Sequence, residues 1–274
     1  MRKVIISLAP VKAGDPVDAK SLALDVEKSV KAGAAMCHLH CRRPDGSLTG
    51  DTAYFEQCFD EIRKRTDVVV QASTGGVSDL TIEKRCRPLD YKPVESASLN
   101  GGTTNLGEAV YINSFDDIRY CGKAVYDRGI IPEIEVFDIG MIYNIRFTEA
   151  EIPYRKPILY NLVFGHKGGM QPNMDCLTAF RAAVPKDALW GVTHYGRDNW
   201  TFLAAAIAMG ASVVRIGFED SAYLEEQHQA KDNCQLAERL VSLLKAMGLA
   251  PATPQEAREI MGITKIRNAS EEEH

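Results

Sequence analysis

The 274-residue chain alternates short apolar segments with segments of helical periodicity, and it completes this alternation eight times. The apolar segments are predicted strands, and most are apolar along their whole length, which is typical of parallel strands buried on both faces. Eight such units in about 250 residues are the pattern of a (β/α)8 TIM barrel in the α/β class. The predicted strands are residues 3–9, 35–40, 67–72, 95–99, 132–137, 157–164, 188–194 and 212–217.

The intervening segments predict helices, and in the first of them Leu22, Val26 and Val30 recur at helical spacing. An open, doubly wound sheet is the alternative, but such folds usually carry a glycine-rich nucleotide turn after the first strand. Residues 10–16 read Pro-Val-Lys-Ala-Gly-Asp-Pro and lack that turn. No linker interrupts the alternation, so residues 1–274 are predicted to form a single barrel domain. A short helix over residues 254–261 and a frayed acidic tail over residues 270–274 are expected to end it.

Composition narrows the classes of function. The net charge is −5 and no basic run stands out, which argues against nucleic acid as a partner. No window approaches the length of a membrane span, so no membrane partner is expected. The seven cysteines are odd in number and form no C-x-x-C pair, which is typical of reduced cytoplasmic thiols. Residues 3–9 are too short for a signal peptide and predict a first strand instead.

Residues 36–41 read Met-Cys-His-Leu-His-Cys at the end of the second predicted strand. Because side chains alternate along a strand, His38 and His40 share one face, while Cys37 and Cys41 face the other way. Two imidazoles side by side form half of a transition-metal site. Hydrogen-bonded core histidines are the plainer interpretation, and the pair alone does not decide between the two.

The eighth predicted strand leads into Glu219 and Asp220, with Arg215 upstream. In a closed barrel this strand neighbours the first, and the first neighbours the second. Glu219 can therefore complete a set of two histidines and one carboxylate with an open position, as catalytic zinc requires. A solvated acidic loop is the alternative. His194 is a rival ligand that we interpret instead as a substrate-contacting or hydrogen-bonding residue.

Other polar residues also gather at strand ends, where a barrel places its active site. The third strand runs into Gln-Ala-Ser-Thr-Gly-Gly at residues 71–76, whose N–H and hydroxyl groups suit an anion. Such small polar turns are also common without a ligand. His166 and His228 lie in predicted loops and are expected at the surface.

Taken together, four segments of the chain resemble the β-keto acid cleavage enzymes. They are residues 34–40, 71–76, 98–100 and 215–220, and the similarity continues to residues 252–260. The His-Leu-His and Gly-Phe-Glu-Asp motifs are specific only in combination. The resemblance implies a zinc-dependent (β/α)8 barrel that forms homotetramers. It also implies a reaction in which a β-keto acid and acetyl-CoA give acetoacetate and a new acyl-CoA.

The resemblance also implies a role for each matching position. Zn²⁺ would be held by His38, His40 and Glu219, and catalysis would use Asp220, Arg215 and the strand-five acid Glu135. By the same resemblance, Ser73 and Ser98 would lie at the substrate carboxylate and Asn100 at the reacting centre. The turn at residues 71–76 and the loop after the first strand add further candidates, so the predicted substrate-binding set is Ser73, Thr74, Gly75, Gly76, Ser98, Asn100 and Lys12.

The loop after the first strand departs from the family member that acts on 3-keto-5-aminohexanoate, which has a glutamate there. This chain offers Lys12, Gly14 and Asp15 instead. We therefore expect an uncharged or acidic β-keto acid, with Lys12 at its tail or at a CoA phosphate.

The chemistry is also arguable from the residues. A metal bound to a β-keto acid neutralises a developing enolate, and Asp220 beside a ligand is placed to act as base, with Arg215 holding it. A metal-dependent hydrolase, or a metal-assisted aldolase without CoA, is the alternative class of enzyme. A ligand-binding barrel with a structural metal is the non-enzymatic alternative. A requirement for acetyl-CoA separates the first interpretation from the others.

Overall fold

The computed structural model describes residues 1–264, in which eight parallel strands pair in chain order and close into a barrel. The last strand pairs with the first, with Ser7 opposite Arg215, which confirms the predicted TIM barrel over an open sheet. The predicted acidic tail lies outside the described residues, and one domain over the whole chain stays a prediction. The barrel strands are β1 Lys3–Leu8, β2 Met36–Leu39, β3 Val69–Ser73, β4 Ser96–Asn100, β5 Ile131–Val136, β6 Leu159–Phe164, β7 Leu189–His194 and β8 Val213–Ile216.

Helices connect the strands and cover the outside of the barrel. Local sequence sets several of their ends: Asp18 accepts a hydrogen bond from the Ser21 backbone, and Ser114 forms a capping box with Asp117. No helix within residues 1–264 is both long and apolar enough to cross a bilayer. The helices are α1 Ala19–Ala32, α2 Ala53–Arg63, α3 Ile82–Arg85, α4 Phe115–Asp127, α5 Ile139–Thr148, α6 Met174–Ala183, α7 Thr201–Ala208, α8 Asn233–Ala246 and α9 Pro254–Met261.

Periodicity missed the shorter elements. A hairpin of Thr104–Leu106 and Ala109–Tyr111 follows β4, and a second, Tyr223–Glu225 with His228–Gln229, follows β8. Helix α8 begins just after the second hairpin because Asp232 caps it. Strands of two or three residues are too short to show an alternating pattern.

The inner face of the barrel changes character along its axis. Near the N-terminal ends of the strands it is filled by an apolar layer that α9 closes with Ala257 and Met261. Beyond that layer the inward positions become polar, yet they remain buried. The apolar layer is Ile5, Met36, Val69, Ile131, Leu159 and Val213. The polar residues beyond it include Ser7, His38, Gln71, Ser96, Glu133, Asn161, Thr193 and Arg215.

Helix α9 is tied to the barrel by one buried guanidinium. Arg258 donates to Glu95 with Nε–Oε1 at 2.6 Å and Nη2–Oε2 at 3.1 Å, and to Asp67 at 3.0 Å. Glu95 also accepts from the Val70 backbone at 3.1 Å. Burial is tolerable for Glu95 because the bidentate partner and the backbone donor satisfy its carboxylate.

We predict that Arg258→Met lowers the free energy of unfolding by about 3–5 kcal/mol, because it removes the bidentate partner of the buried Glu95 carboxylate. Arg63 lies 3.9 Å from the same carboxylate, so it reduces the loss of stability but does not replace the bidentate contact. Urea titration measures the effect. Lys3→Met is the control, since it breaks the half-exposed pair with Glu256 on the same helix, worth about 0–1 kcal/mol. Equal losses in both variants would contradict this account of α9.

Candidate active site

Two histidines and a carboxylate meet at the C-terminal end of the barrel. His38 and His40 face inward from β2, and Cys37 and Cys41 pack outward among the helices, as strand alternation predicts. Glu219 reaches them because the turn after β8 folds against the end of β1, where its backbone N–H donates to Ala9 at 3.1 Å.

Gly217 permits this close approach. Its φ is 137°, and a Cβ there would lie 2.1 Å from the Ala9 carbonyl oxygen. Only glycine adopts this backbone conformation beside another chain segment without a clash. The position therefore sets where Glu219 stands.

The possible ligand atoms of this triad all lie within 4.8 Å of one another. Glu219 Oε1 is 3.2 Å from His40 Nε2 and 4.0 Å from His38 Nε2. Burial opposes ionisation of Glu219, but His40 and Arg215 outweigh it, and the pKa of Glu219 falls below its usual value. The carboxylate is thus in the form that binds a cation.

Hydrogen bonds orient both imidazoles. His38 Nδ1 lies 2.7 Å from Gln71 Oε1, and His40 Nδ1 lies 3.2 Å from the Gly75 carbonyl oxygen. Both partners are acceptors, so each Nδ1 carries a proton; His38 Nε2 then keeps its lone pair, while His40 Nε2 contacts Glu219 Oε1. Burial lowers the pKa of His38 to about 3, which keeps the ring neutral.

This donor set fits a divalent transition metal. His38 Nε2 is buried without a hydrogen-bond partner, and it faces the carboxylate of Glu219. Lone pairs that point at a carboxylate repel it unless a cation lies between them. Two imidazoles and one carboxylate with room for further ligands are the pattern of a catalytic zinc site.

A chain of buried polar groups orients Gln71. Its amide nitrogen donates to Glu133 at 3.0 Å and to Ser96 at 3.1 Å, so its carbonyl must face His38. Asn161 donates to the other oxygen of Glu133 at 2.8 Å, and Thr193 donates to Asn161 at 3.0 Å. Burial raises the pKa of Glu133, which the Gln71 amide, Arg215 and the Asn161 amide oppose. The chain crosses the barrel from β7 to β2.

Arg215 stands at the centre of three carboxylates. It donates to both oxygens of Asp220 at 3.0 and 2.7 Å and to Glu135 at 2.8 Å, and it lies 3.6 Å from Glu219. Burial acts against its charge, but the three acids raise its pKa well above the usual value. One guanidinium cannot balance three carboxylates, so the site retains negative charge that suits a dication.

The two acids beside Arg215 respond to burial in the same direction. Burial raises the pKa of Asp220, and Arg215 opposes the shift. Burial raises the pKa of Glu135 to about 7, again against Arg215. Both side chains are therefore stronger proton acceptors than a solvated carboxylate, which is what a general base requires.

These groups open into a cavity of about 1190 Å³. His40, Glu135, Arg215, Glu219 and Asp220 line its inner part. The apolar and aromatic side chains of the lining, which we call the apolar wall, are Leu48, Leu106, Tyr111, Phe137, Val163, His166 and Tyr195.

His166 belongs to this wall, which corrects its expected surface placement. Its ring stacks on Tyr195 with centroids 3.9 Å apart, and burial lowers its pKa to about 4. His228 is exposed beside Glu225, as expected. The sequence did not predict that His166 lines the cavity, because the loop after β6 carries no periodic pattern.

Most of the predicted substrate-binding residues lie around the triad. Gly75 and Gly76 line the cavity. Ser73 is buried with Oγ 3.5 Å from His40 Nε2, and Ser98 Oγ is 3.4 Å from Ser73 Oγ. Asn100 is buried on the inner face of β4 with Nδ2 unpartnered.

Three predicted positions lie elsewhere. Thr74 donates to the Ser98 carbonyl at 2.6 Å and contacts Cys121, so its side chain supports the turn and does not line the cavity. Lys12 lines a separate outer depression with Asp18 and Lys231, and the geometry gives it no substrate contact. His194 follows inward-facing Thr193, so it points outward onto Phe202, 5.2 Å away, and the proposed substrate role for it finds no support.

Tyr111 was not foreseen. It comes from the unpredicted hairpin after β4, hydrogen-bonds the Gly76 backbone and lines the cavity. A Cβ at Gly75 would lie 2.5 Å from its hydroxyl. The buried polar chain could have been recognised from the sequence, since each of its members is a polar residue at an inward position of an apolar strand. These residues are Gln71, Glu133, Asn161 and Thr193.

We predict that Gln71→Met weakens zinc binding by about 10–100-fold while the barrel stays folded, because His38 loses the acceptor that holds its Nδ1 proton. Competition with a chromophoric chelator measures the affinity, and circular dichroism checks the fold. Ser96→Ala is the matched control, since it removes only a hydroxyl from the other end of the Gln71 amide. Unchanged zinc affinity in folded Gln71→Met would refute the orienting role.

Comparison with known proteins agrees with this geometry. The family model described as beta-keto acid cleavage enzyme matches residues 8–263. The chain is 38% identical to 3-keto-5-aminohexanoate cleavage enzyme of Fusobacterium nucleatum, over 91% of each chain. It is 28% identical to 3,5-dioxohexanoate:acetyl-CoA acetone transferase of Paraburkholderia graminis, over 98% of each chain.

The fold has a counterpart among solved structures. The apo structure of ObcA superimposes with a TM-score of 0.76 at 18% identity. The match covers 91% of this chain and 66% of that one, so this chain spans about two thirds of its length. At this identity the likeness concerns the barrel fold alone.

Proposed function

The chain belongs to the β-keto acid cleavage enzyme family, and from this premise we propose that it exchanges acyl groups between a β-keto acid and acetyl-CoA. The products are acetoacetate and an acyl-CoA that carries the tail of the keto acid. The observation that carries the proposal is that the triad of His38, His40 and Glu219 adjoins the Arg215–Asp220 pair at the inner end of one cavity, which all of these residues except His38 line.

Zinc is the metal we propose for the triad. Its support is the unpartnered Nε2 of His38, the neutral imidazole of the same residue and the ionised Glu219. When bound, it would polarise the carbonyl groups of a β-keto acid and stabilise negative charge on their oxygens. The Ser73 hydroxyl, 3.5 Å from His40 Nε2, lies where it can donate to the substrate carboxylate.

Asp220 is the proposed base. The methylene between the two carbonyl carbons of the substrate loses a proton to its carboxylate, and the electron pair remains on the substrate. Arg215 occupies one lone pair on each Asp220 oxygen and leaves others free to accept that proton. The Arg215–Asp220 pair keeps the Asp220 carboxylate in one position while the proton is transferred.

The carbon skeleton then exchanges in two steps. The substrate carbanion attacks the acetyl carbon of acetyl-CoA, a carbon–carbon bond forms, and CoA leaves as a thiolate. The thiolate attacks the original ketone, and the bond between that carbon and the former methylene breaks with its electron pair left on the methylene carbon. That carbon takes back the proton held by Asp220, and acetoacetate leaves. No protein nucleophile is consumed, which suits a cavity without a cysteine in its lining among the described residues.

The substrate tail that we propose is uncharged. From the loop after β1, Ala13 and Gly14 line the cavity, while Asp15 faces the outer depression. No carboxylate of that loop is thus available to pair with an ammonium group. The aromatic wall of Phe137, His166 and Tyr195 offers apolar contact instead.

The proposal extends to assembly and compartment. Large apolar side chains stand out of the surface at Ile112, Phe115, Tyr143 and Phe147, the last 69% exposed, which supports burial against further copies in a homotetramer. All seven cysteines are free thiols, which supports a reducing cytoplasm. Light scattering tests the assembly.

We predict that Asp220→Asn retains zinc but lowers kcat by about 10²–10⁴, because the base is lost while the ligands remain. Acetoacetate formation and metal content are measured on the same samples. Asp175→Asn, an acid in the first turn of α6, is the control and keeps wild-type turnover. Normal kcat in Asp220→Asn would assign the base elsewhere, and turnover without acetyl-CoA would favour a hydrolase or aldolase.

We predict that 3-ketohexanoate has a kcat/KM about tenfold or more above that of 3-keto-5-aminohexanoate, because the ammonium group has no carboxylate from the first loop to pair with. The two acids differ only in that group, so the ratio isolates its charge. If the amino acid is the better substrate, the expectation is wrong, and Glu135→Gln then tests whether Glu135 is its partner.

A further inference from the structure

The cavity is larger than a short β-keto acid needs. Its volume of about 1190 Å³ exceeds the roughly 300–1,000 Å³ that encloses a drug-sized ligand. The inner part around Arg215 and Glu219 accounts for the keto acid. The remainder lies toward the mouth, between the loop after β2 and α3, and the catalytic chemistry leaves it unassigned.

Four cations line this outer part and form what we call the basic rim: Arg42, Arg43, Lys84 and Arg87. Arg42 and Arg43 lie on the loop that follows β2, and Lys84 lies on α3. Arg87 Nη1 donates to the Gly50 carbonyl at 3.3 Å, and the Lys84 side chain packs on Gly50. The loop after β2 therefore holds all four on one side of the mouth.

The rim cations have no close carboxylate partner among the described residues, although Glu219 acts on Arg42 and Asp45 interacts with Arg43 from farther away. Within residues 1–264, none of the four forms an ion pair within 4 Å, although Arg42 Nη1 donates to the Gly46 carbonyl and Arg43 Nη1 lies 3.4 Å from Ser47 Oγ. Two acids, Asp51 and Asp79, also line this part of the cavity, and Asp51 is engaged by the Ala53 backbone. Four cations against two anions leave a positive patch on a chain whose net charge is −5.

A fifth cation of the cavity differs from the basic rim because it has a carboxylate partner. Lys167 lines the same cavity on the opposite side of the mouth, but it forms an ion pair with Glu108 of the hairpin after β4. Unpaired cations at the mouth of a cavity attract anions and shorten their search for the site. The guanidinium groups also match phosphate oxygens in a two-pronged geometry.

We propose that the basic rim binds the phosphate groups of CoA, so that the pantetheine arm runs down the cavity and delivers the thioester to the Arg215–Asp220 side of the triad. This rests on the proposed function. Arg42 joins the two regions, because it lines both the rim and the small depression that contains His38 and Glu219. The distal carboxylate of an acidic keto acid is the other anion that the rim would suit.

The test compares acetyl-CoA with acetyl-pantetheine, which keeps the thioester and lacks every phosphate. We expect the Lys84→Ala/Arg87→Ala double variant to raise KM for acetyl-CoA about a hundredfold, about tenfold for each charged contact removed. KM for acetyl-pantetheine and for the keto acid should stay at the wild-type values. Lys167→Ala is the matched control, and its KM for acetyl-CoA should not change.

Calorimetric binding of CoA gives a second readout that does not depend on turnover. The dissociation constant should rise in the double variant and lose most of its dependence on salt. An unchanged KM and Kd for the CoA compounds, or a raised KM for the keto acid instead, would overturn the proposal. If the wild type forms no acetoacetate from any keto acid, the proposed function fails, and the Kd values alone then decide on the rim.

Discussion

The hydrogen bond between Gln71 Oε1 and His38 Nδ1 is the contact on which the site depends. It decides which nitrogen of His38 faces Glu219, and it does so because Glu133 binds the amide end of the same glutamine. Without Glu133 the amide could rotate, and either tautomer of His38 would be satisfied. The position of one proposed metal ligand is therefore set by a carboxylate on the far side of the barrel. Buried polar chains of this kind are stable only when every member has its partner, as Asn161 and Thr193 provide here.

The barrel separates the residues that give stability from those that give chemistry. At the N-terminal ends of the strands the interior is apolar, and α9 closes it with an arginine pair that satisfies Glu95. At the C-terminal ends the interior is charged, and Arg215 faces three acids. Packing at the apolar end stabilises the fold enough that several charged groups can be buried at the other end. Such a division explains why the strands look apolar in sequence although every one reaches a polar site.

The sequence predicted those features that follow from strand periodicity and barrel closure. Alternation placed His38 and His40 inward, and the pairing of β8 with β1 brought Glu219 to them. Tyr111 and the basic rim escaped prediction because their positions come from loops, whose paths depend on tertiary contacts and not on a local period. Lys12 shows the same limit, since adjacency to β1 in sequence did not place its side chain in the cavity. The alternation that placed His38 also turns His194 outward, because the inward position next to it is Thr193.

The distribution of charge gives the two substrates different routes. A β-keto acid is an anion, and Glu135, Glu219 and Asp220 around a single guanidinium would repel it. A dication on His38, His40 and Glu219 would neutralise that excess, so the proposed metal would have to be in place before the acid binds. The phosphate groups of CoA carry more negative charge than the keto acid, so the three carboxylates would repel them more strongly. In the proposed arrangement, the basic rim would hold that charge at the mouth while the uncharged arm continues inward. Separation of the two anions by the length of the cavity would then let one barrel hold both substrates at once.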